Sequence, residues 1–178
     1  MHASGLTTFL AFNLVWLTCA IGAAQGSNNV GVTSAIAFVL AALWARDWPR
    51  ADTGLVVVSG MVGAIVETML AQSGLVHYGA PILGNGIAPP WIVALWLAFG
   101  VTISTSTKLL GKRASWKAAA LGLVFGPLAY AGGQKLGALA IKGDPVRAPS
   151  AIAIVWAISF PALVMLHATL CRAKSAGS

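Results

Sequence analysis

Apolar residues along the chain fall into six long runs, separated by shorter polar or glycine- and proline-rich stretches. The runs cover residues 6–24, 30–45, 53–72, 91–107, 118–139 and 148–170. A helix of about 20 mostly apolar residues crosses a hydrocarbon layer of about 30 Å, and it satisfies its own backbone hydrogen bonds there. The pattern therefore predicts an all-α fold: an integral membrane bundle of about six transmembrane helices, with residues 1–178 as a single domain.

Composition agrees with a lipid-facing surface. Hydrophobic residues make up 58% of the chain and charged residues only 8%, whereas about a quarter of an average soluble domain is charged. The net charge is +7, but the cationic residues are spread between apolar runs and do not line one amphipathic face. This spread argues against nucleic acid as a partner.

The cationic residues also predict the orientation of the bundle. With six crossings, the two termini and the second and fourth loops lie on the same side of the membrane. Cytoplasmic segments carry the excess of Lys and Arg, so the eight cations on this side, against three on the other, predict that both termini are cytoplasmic. The eight are Arg46, Arg50, Lys108, Lys112, Arg113, Lys117, Arg172 and Lys174, and the three are Lys135, Lys142 and Arg147.

The longest connection, residues 73–90, is rich in glycine and proline and contains no Lys or Arg. It is too irregular to cross the membrane, yet several of its residues are apolar. Irregular backbone is tolerated at membrane depth only against protein or water. We therefore expect a re-entrant loop or a loop that covers the outer mouth of the bundle, with an ordinary surface loop as an equal alternative.

Glu67 is the only acidic residue inside an apolar run. An acid within a membrane helix is costly and usually faces the bundle interior, where it serves as a proton or ligand site. Gly60 and Gly63 precede Glu67 at helical spacing, which predicts that it faces a neighbouring helix. The alternative is a protonated, hydrogen-bonded and purely structural Glu67.

Four further polar residues are candidates for the same ligand or proton site. Tyr130 and Gln134 lie one turn apart on the fifth run, at a depth similar to that of Glu67. His77, in the 73–90 connection, could approach Glu67 from outside. Asn13 lies at mid-depth in the first run, although a buried Asn more often bonds two helices together.

Glycine and proline predict weak points in two of the helices. The predicted breaks are at Gly126, Pro127, Gly132 and Gly133 in the fifth helix and at Pro161 in the sixth. Proline removes a backbone donor from a helix, and glycine lowers its stability.

Common catalytic signatures are absent from the sequence: there is no HExxH, CxxC, GxSxG, phosphate-binding loop or dinucleotide fingerprint. The three histidines are far apart along the chain, which makes a metal site unexpected. We therefore expect no metal and no cofactor, and we favour a protein that is not an enzyme.

Four stretches of the chain together resemble a known family. They are GAIVETMLAQSGL, APPWIVALWLAFG, LGLVFGPLAYAGGQKLGAL and AIVWAISFPALVML, and they resemble the bacterial inner-membrane family called domain of unknown function 2878. The resemblance implies a small multipass protein of the inner membrane, without an established activity. It also implies an association with membrane-lipid modification, and an Asp at the position that Glu67 occupies here.

Three functional hypotheses remain open. The first is a transport-like bundle that handles a lipid or small-molecule ligand in an outward-side polar pocket around Glu67, with Tyr130 and Gln134 orienting the ligand. The second is a non-catalytic accessory or assembly subunit, with a membrane protein or a second copy of the chain as partner. The third is an intramembrane lipid-modifying enzyme, which rests on the resemblance alone.

Overall fold

The computed structural model of the chain describes the backbone of residues 5–111 and 114–176 and the side chains of 5–105, 111 and 114–173. The prediction of six helices is confirmed within these residues. In chain order the elements are α1 (Gly5–Ala24), α2 (Asn29–Trp44), α3 (Arg50–Gln72), β1 (Val76–Tyr78), α4 (Pro90–Leu110), α5 (Ala114–Lys135), β2 (Leu139–Ile141) and α6 (Arg147–Ala176).

Three of the described helices are long and apolar enough to cross a membrane. They are α1, α3 and the Arg147–Ala173 part of α6, while Asn29–Trp44 and Pro90–Thr105 are shorter apolar helices. Large apolar side chains on these helices point outward, among them Leu6, Ile65 and Ile158, each more than 60% exposed. A surface of this kind is suited to lipid, because it offers water few polar partners.

Helix α5 packs closely against α6, and α3 packs closely against α4. Glycines permit the approach. A Cβ atom at Gly122 would lie 2.4 Å from the backbone oxygen of Trp156, and one at Gly63 would lie 2.1 Å from the Trp96 ring. Small residues let helices approach in this way within a membrane.

The predicted breaks in α5 and α6 do not interrupt either helix. Pro127 lies inside α5 and Pro161 inside α6, and α5 continues through Gly132 and Gly133 to Lys135. A proline removes one helical hydrogen bond, yet both helices continue past their prolines. Helix α5 ends at Lys135, four residues before the predicted end at residue 139. Gly137, with a φ of +84°, then turns the chain toward β2.

A two-stranded sheet that the sequence pattern does not predict covers one end of the bundle. Strands β1 and β2 pair antiparallel, with Val76 opposite Ile141 and Tyr78 opposite Leu139. The first strand comes from the 73–90 connection and the second from the connection between α5 and α6. We call β1 and β2, with the adjoining Gly79 and Ala80, the cap.

The cap is fastened to the helices through Asn28 and Trp91. The Asn28 Nδ2 atom donates to the Ala80 carbonyl oxygen at 2.8 Å, and the Trp91 backbone N–H donates to Asn28 Oδ1 at 3.2 Å. The Trp91 indole N–H donates to the Gly79 carbonyl oxygen at 3.0 Å. Ala80 has a φ of +52°, in the left-handed region that costs a non-glycine residue energy, so these bonds hold a strained turn.

Candidate functional site

Glu67 lies on the buried face of α3 and is completely inaccessible, with 0% of its surface exposed. Its helical neighbours Gly60 and Gly63 belong to the same buried face. This face meets α4, where Leu97 and Trp96 pack against the two glycines. The helical spacing of Gly60, Gly63 and Glu67 predicted that Glu67 points into the bundle. In the structure the Glu67 side chain lies inside the bundle.

Three side chains from three different elements donate hydrogen bonds to the Glu67 carboxyl group. The Trp96 indole N–H, on α4, donates to Oε1 at 2.7 Å. The Tyr130 hydroxyl, on α5, lies 2.6 Å from Oε1 and 2.5 Å from Oε2. The Tyr78 hydroxyl, on β1, donates to Oε2. One carboxyl group thus connects α3, α4, α5 and the cap.

Aromatic rings form the wall of the site on the side of α4 and α6. The rings of Trp96 and Trp156 stack with their centroids 4.7 Å apart, and Phe99 packs edge-on against both. The Trp156 indole N–H interacts with the Tyr130 hydroxyl but lacks the geometry of a full hydrogen bond, and it is buried. The site therefore retains one donor whose capacity is unfilled.

No cation among the described side chains forms an ion pair with Glu67; the ion pairs between described side chains join Asp52 to Arg46 and to His167. An ionised carboxylate can accept all three hydrogen bonds, and a protonated carboxyl can donate one in return to a tyrosine oxygen. Burial, followed by the adjacent Glu67 charge, raises the pKa of Tyr78 well above its ordinary range. Tyr78 therefore acts as a hydrogen-bond donor at neutral pH.

The model of the family described as protein of unknown function DUF2878 matches residues 5–162 of the chain. The chain belongs to this family. Separate comparisons with curated proteins and with solved structures give no match. Since the DUF2878 family has no established activity, the function of this member has to be argued from its own site.

Of the four further candidates, the DUF2878 protein brings only Tyr130 to Glu67. Gln134 is exposed, and its Oε1 atom accepts from the Ile141 N–H at 2.6 Å, which supports β2. His77 is exposed on the opposite face of β1 from Tyr78, because alternate strand residues point to opposite sides. Asn13 is exposed and donates to the Phe9 carbonyl oxygen of its own helix.

Two partners of Glu67 were not identified as site residues from the sequence. Tyr78 adjoins His77, and only the strand conformation decides which of the two faces inward. In the sequence Trp96 was interpreted as a packing residue. A buried indole N–H needs a hydrogen-bond acceptor, however, and Glu67 is the one acid within an apolar run. The need of the Trp96 N–H for an acceptor is therefore the sequence signal that could have predicted its hydrogen bond to Glu67.

Glu67 lines neither of two grooves on the surface of the described residues. One lies beside the start of α3, between Trp48 and Val58, and the other lies between α3 and α6. Within residues 5–111 and 114–176, no group of three or more His, Cys, Asp or Glu side chains is placed to hold a metal ion. The arrangement at Glu67 is therefore a closed, aromatic-lined acid site, suited to binding a proton or a hydrogen-bonding ligand.

Proposed function

We propose that this DUF2878 protein is a transport-like membrane bundle in which Glu67 binds a proton and handles a small or lipidic ligand. In this proposal all six helices cross the bacterial inner membrane, both termini are cytoplasmic, and the cap lies on the outer side. Three apolar helices of membrane-crossing length and the unequal distribution of Lys and Arg support this orientation.

The observation that carries the proposal is a fully buried carboxyl group with three donors and no cation. Burying an acid is costly even when it is hydrogen-bonded, and an apolar residue of similar size would pack without that cost. Intramembrane acids are accordingly associated with proton and substrate pathways. Each donor to Glu67 comes from a different element, so a change in its protonation state alters several packing contacts at once.

Access to Glu67 requires the cap to move. The Tyr78 hydroxyl contacts the carboxyl group, and Tyr78 belongs to a three-residue strand that residues 73–75 join to α3 and residues 79–89 join to α4. When Tyr78 leaves, a ligand would meet the unfilled Trp156 N–H, the Tyr130 hydroxyl and the stacked indole rings. These groups suit an apolar molecule that carries at least one hydrogen-bond acceptor.

Tryptophan fluorescence of the purified chain in phospholipid nanodiscs tests the proposal, because the Trp96 N–H bonds directly to Glu67. We expect the emission of the wild type to change with pH, and we expect Glu67→Gln to remove that change. Asp144→Asn is the matched acid-to-amide control, since Asp144 is an exposed residue in the connection before α6. A pH response that Glu67→Gln leaves intact would exclude Glu67 as the proton site.

The accessory-subunit alternative loses one of its supports. The small-residue face of α5, with Gly122 and Gly126, could have received a partner helix, but within this chain it contacts Trp156 of α6. The lipid-modifying enzyme remains a hypothesis from the family resemblance alone. The accessory-subunit alternative does not explain why an acid is buried at the junction of four elements.

A further inference from the structure

The groove beside the start of α3 is separate from the Glu67 site and combines an apolar lining with one arginine. We call it the α3 groove, and it is lined by Trp48, Arg50, Thr53, Gly54, Val57 and Val58. The last five of these residues recur on α3 at spacings of three and four, so they share one face of the helix. Val57 on this face is 52% exposed, so the groove opens to the outer surface of the bundle.

The α3 groove is concave because Gly54 has no side chain. A Cβ atom added there would have Leu170 of α6 as its neighbour, at 3.6 Å. Trp48 belongs to a closed turn, in which its backbone N–H donates to the Leu43 carbonyl oxygen at 3.0 Å. Asp47 and Trp48 have φ angles of +56° and +49°, which cost non-glycine residues energy. This strained turn holds the Trp48 backbone beside the start of α3.

Arg50 gives the α3 groove a cation that is not neutralised. Among the described residues, the Arg50 guanidinium group has neither an ion-pair nor a hydrogen-bond partner. Arg46 in the preceding connection differs, because it binds Asp52 and the Ser104 hydroxyl. Asp47 is exposed, and it forms no ion pair with Arg50 within the described part of the chain. The positive charge that the groove offers to a ligand is therefore that of Arg50.

The charge around the α3 groove is also positive as a whole. In the proposed orientation the groove lies at the cytoplasmic surface of the membrane, where the lipids carry negative charge. The segments on this side hold eight Lys and Arg residues and two acidic residues, Asp47 and Asp52, which is an excess of six positive charges. Four of the eight cations lie outside the described side chains: Lys108, Lys112, Arg113 and Lys174.

We propose that the α3 groove binds an anionic phospholipid of the bilayer, with the lipid phosphate paired to Arg50 and one acyl chain along the apolar face of α3. Arginine suits phosphate because its guanidinium group donates two parallel hydrogen bonds. From Arg50 to Val58 the face extends about 12 Å at about 1.5 Å per residue. This length fits within one leaflet, since the whole hydrocarbon layer is about 30 Å thick.

Charge complementarity selects an anionic lipid over a zwitterionic one. Both offer a phosphate to Arg50, but the zwitterionic headgroup adds a cation that the excess positive charge on this side repels. Trp48 suits the same depth, because tryptophan rings settle where headgroups meet the hydrocarbon. The α3 groove shares no lining residue with the Glu67 site, so the proposal stands whether or not Glu67 binds a proton.

Native mass spectrometry of the full chain in detergent tests the proposal, because it counts the lipid molecules that stay bound. The probes are dioleoyl phosphatidylglycerol, which is anionic, and dioleoyl phosphatidylcholine, which is zwitterionic and has the same acyl chains. We expect the wild type to bind phosphatidylglycerol more tightly. Arg50→Gln should lower that affinity about fivefold, the effect of one cation near the membrane surface, whereas Arg50→Lys should retain most of it.

Two substitutions at other positions are matched controls. Arg147→Gln changes an exposed arginine at the other end of the bundle and should leave both affinities unchanged. Trp48→Ala removes an apolar part of the lining, so it should weaken the binding of both lipids. Trp116→Ala should weaken neither, because Trp116 is exposed on α5, away from the groove.

Equal binding of the two lipids by the wild type would overturn the proposal, as would an unchanged phosphatidylglycerol affinity in Arg50→Gln. Excess inorganic phosphate provides the last arm. We expect it not to displace phosphatidylglycerol, since free phosphate has no apolar part to occupy the groove. Displacement would show a site for phosphate alone, and it would contradict the binding of a lipid.

Discussion

Glu67 combines complete burial with a set of partners that are all neutral hydrogen-bond donors. Its two carboxyl oxygens receive one indole N–H and two tyrosine hydroxyls. Such donors stabilise a carboxylate less than a cation would. The surroundings of Glu67 therefore differ from those of Asp52, which forms an ion pair with Arg46.

Tyr78 gives a prediction for alkaline pH. Burial and the Glu67 charge raise the pKa of Tyr78, so its neutral form stabilises the folded chain at all pH values below the ordinary tyrosine pKa of about 10. That stability is lost as the pH rises above about 10 toward the folded pKa. In Tyr130→Phe, where Tyr78 is the remaining tyrosine, we expect no tyrosinate absorbance at about pH 11 until the chain unfolds.

The control for this titration is the same variant with Glu67→Gln added. Removing the negative charge takes away one of the two main causes of the shift, so tyrosinate absorbance should appear at a lower pH. Ordinary ionisation of Tyr78 in the folded single variant would contradict the hydrogen bond to Glu67.

Sequence reasoning located Glu67 because intramembrane acids are rare, and it found Tyr130 because helical spacing gives its depth. It missed Tyr78 because a three-residue strand leaves almost no periodic signal. It placed Gln134 at the site because Gln134 lies one helical turn after Tyr130. In the structure Gln134 accepts a hydrogen bond from the Ile141 N–H instead and so supports β2.

At the scale of elements, the cap is the part that has to move in the proposed function before a ligand can reach Glu67. It consists of two short strands that Asn28 and Trp91 fasten to the helices. Asn28→Ala removes two of these hydrogen bonds, each contributing about 1 kcal/mol. We expect amide hydrogen exchange in residues 76–80 to become roughly tenfold faster or more, as measured by mass spectrometry.

Asn13→Ala is the matched control, because Asn13 is exposed and bonds only to its own helix. It should leave exchange in the cap unchanged. Equal exchange in the wild type and in Asn28→Ala would show that Asn28 does not fasten the cap.

The contact between α5 and α6 gives a second prediction at this scale. In Gly122→Ala the new Cβ atom would lie 2.4 Å from the Trp156 carbonyl oxygen, so the two helix backbones must separate. We expect a loss of about 1 to 3 kcal/mol in the free energy of unfolding. Gly54→Ala is the control, since its Cβ atom would make an ordinary 3.6 Å contact with Leu170, and it should be neutral or slightly stabilising. Equal effects of the two substitutions would contradict the close packing.

For the whole molecule, the apolar pattern was sufficient to predict six helices because an apolar run of about 20 residues is typical of a membrane helix through its length alone. Helix ends were less accurate at Arg50 and Ala176, where charged or small polar residues continue a helix beyond its apolar part. The cap and the pairing of Asp52 with His167 depend on contacts between residues far apart along the chain. Such contacts leave no local pattern in the sequence from which they could be predicted.

The proposed topology predicts opposite locations for the two ends of α3. We expect alkaline phosphatase fused after Ala80 to be active in the periplasm and the same enzyme fused after Asp47 to be inactive. A green fluorescent protein fused to the carboxyl terminus should fluoresce in the cytoplasm. Activity after Asp47 would reverse the orientation, and it would place Asp52 on the outer side.

The most direct measurement for the whole molecule is the infrared difference spectrum of the chain between acidic and alkaline pH. Only four Asp and Glu residues contribute side-chain carboxyl bands, so a single residue can be assigned by substitution. We predict a carbonyl band of a buried, protonated carboxyl group that appears at acidic pH in the wild type and is missing in Glu67→Gln. The same band in both proteins, or no such band in either, would contradict a proton site at Glu67.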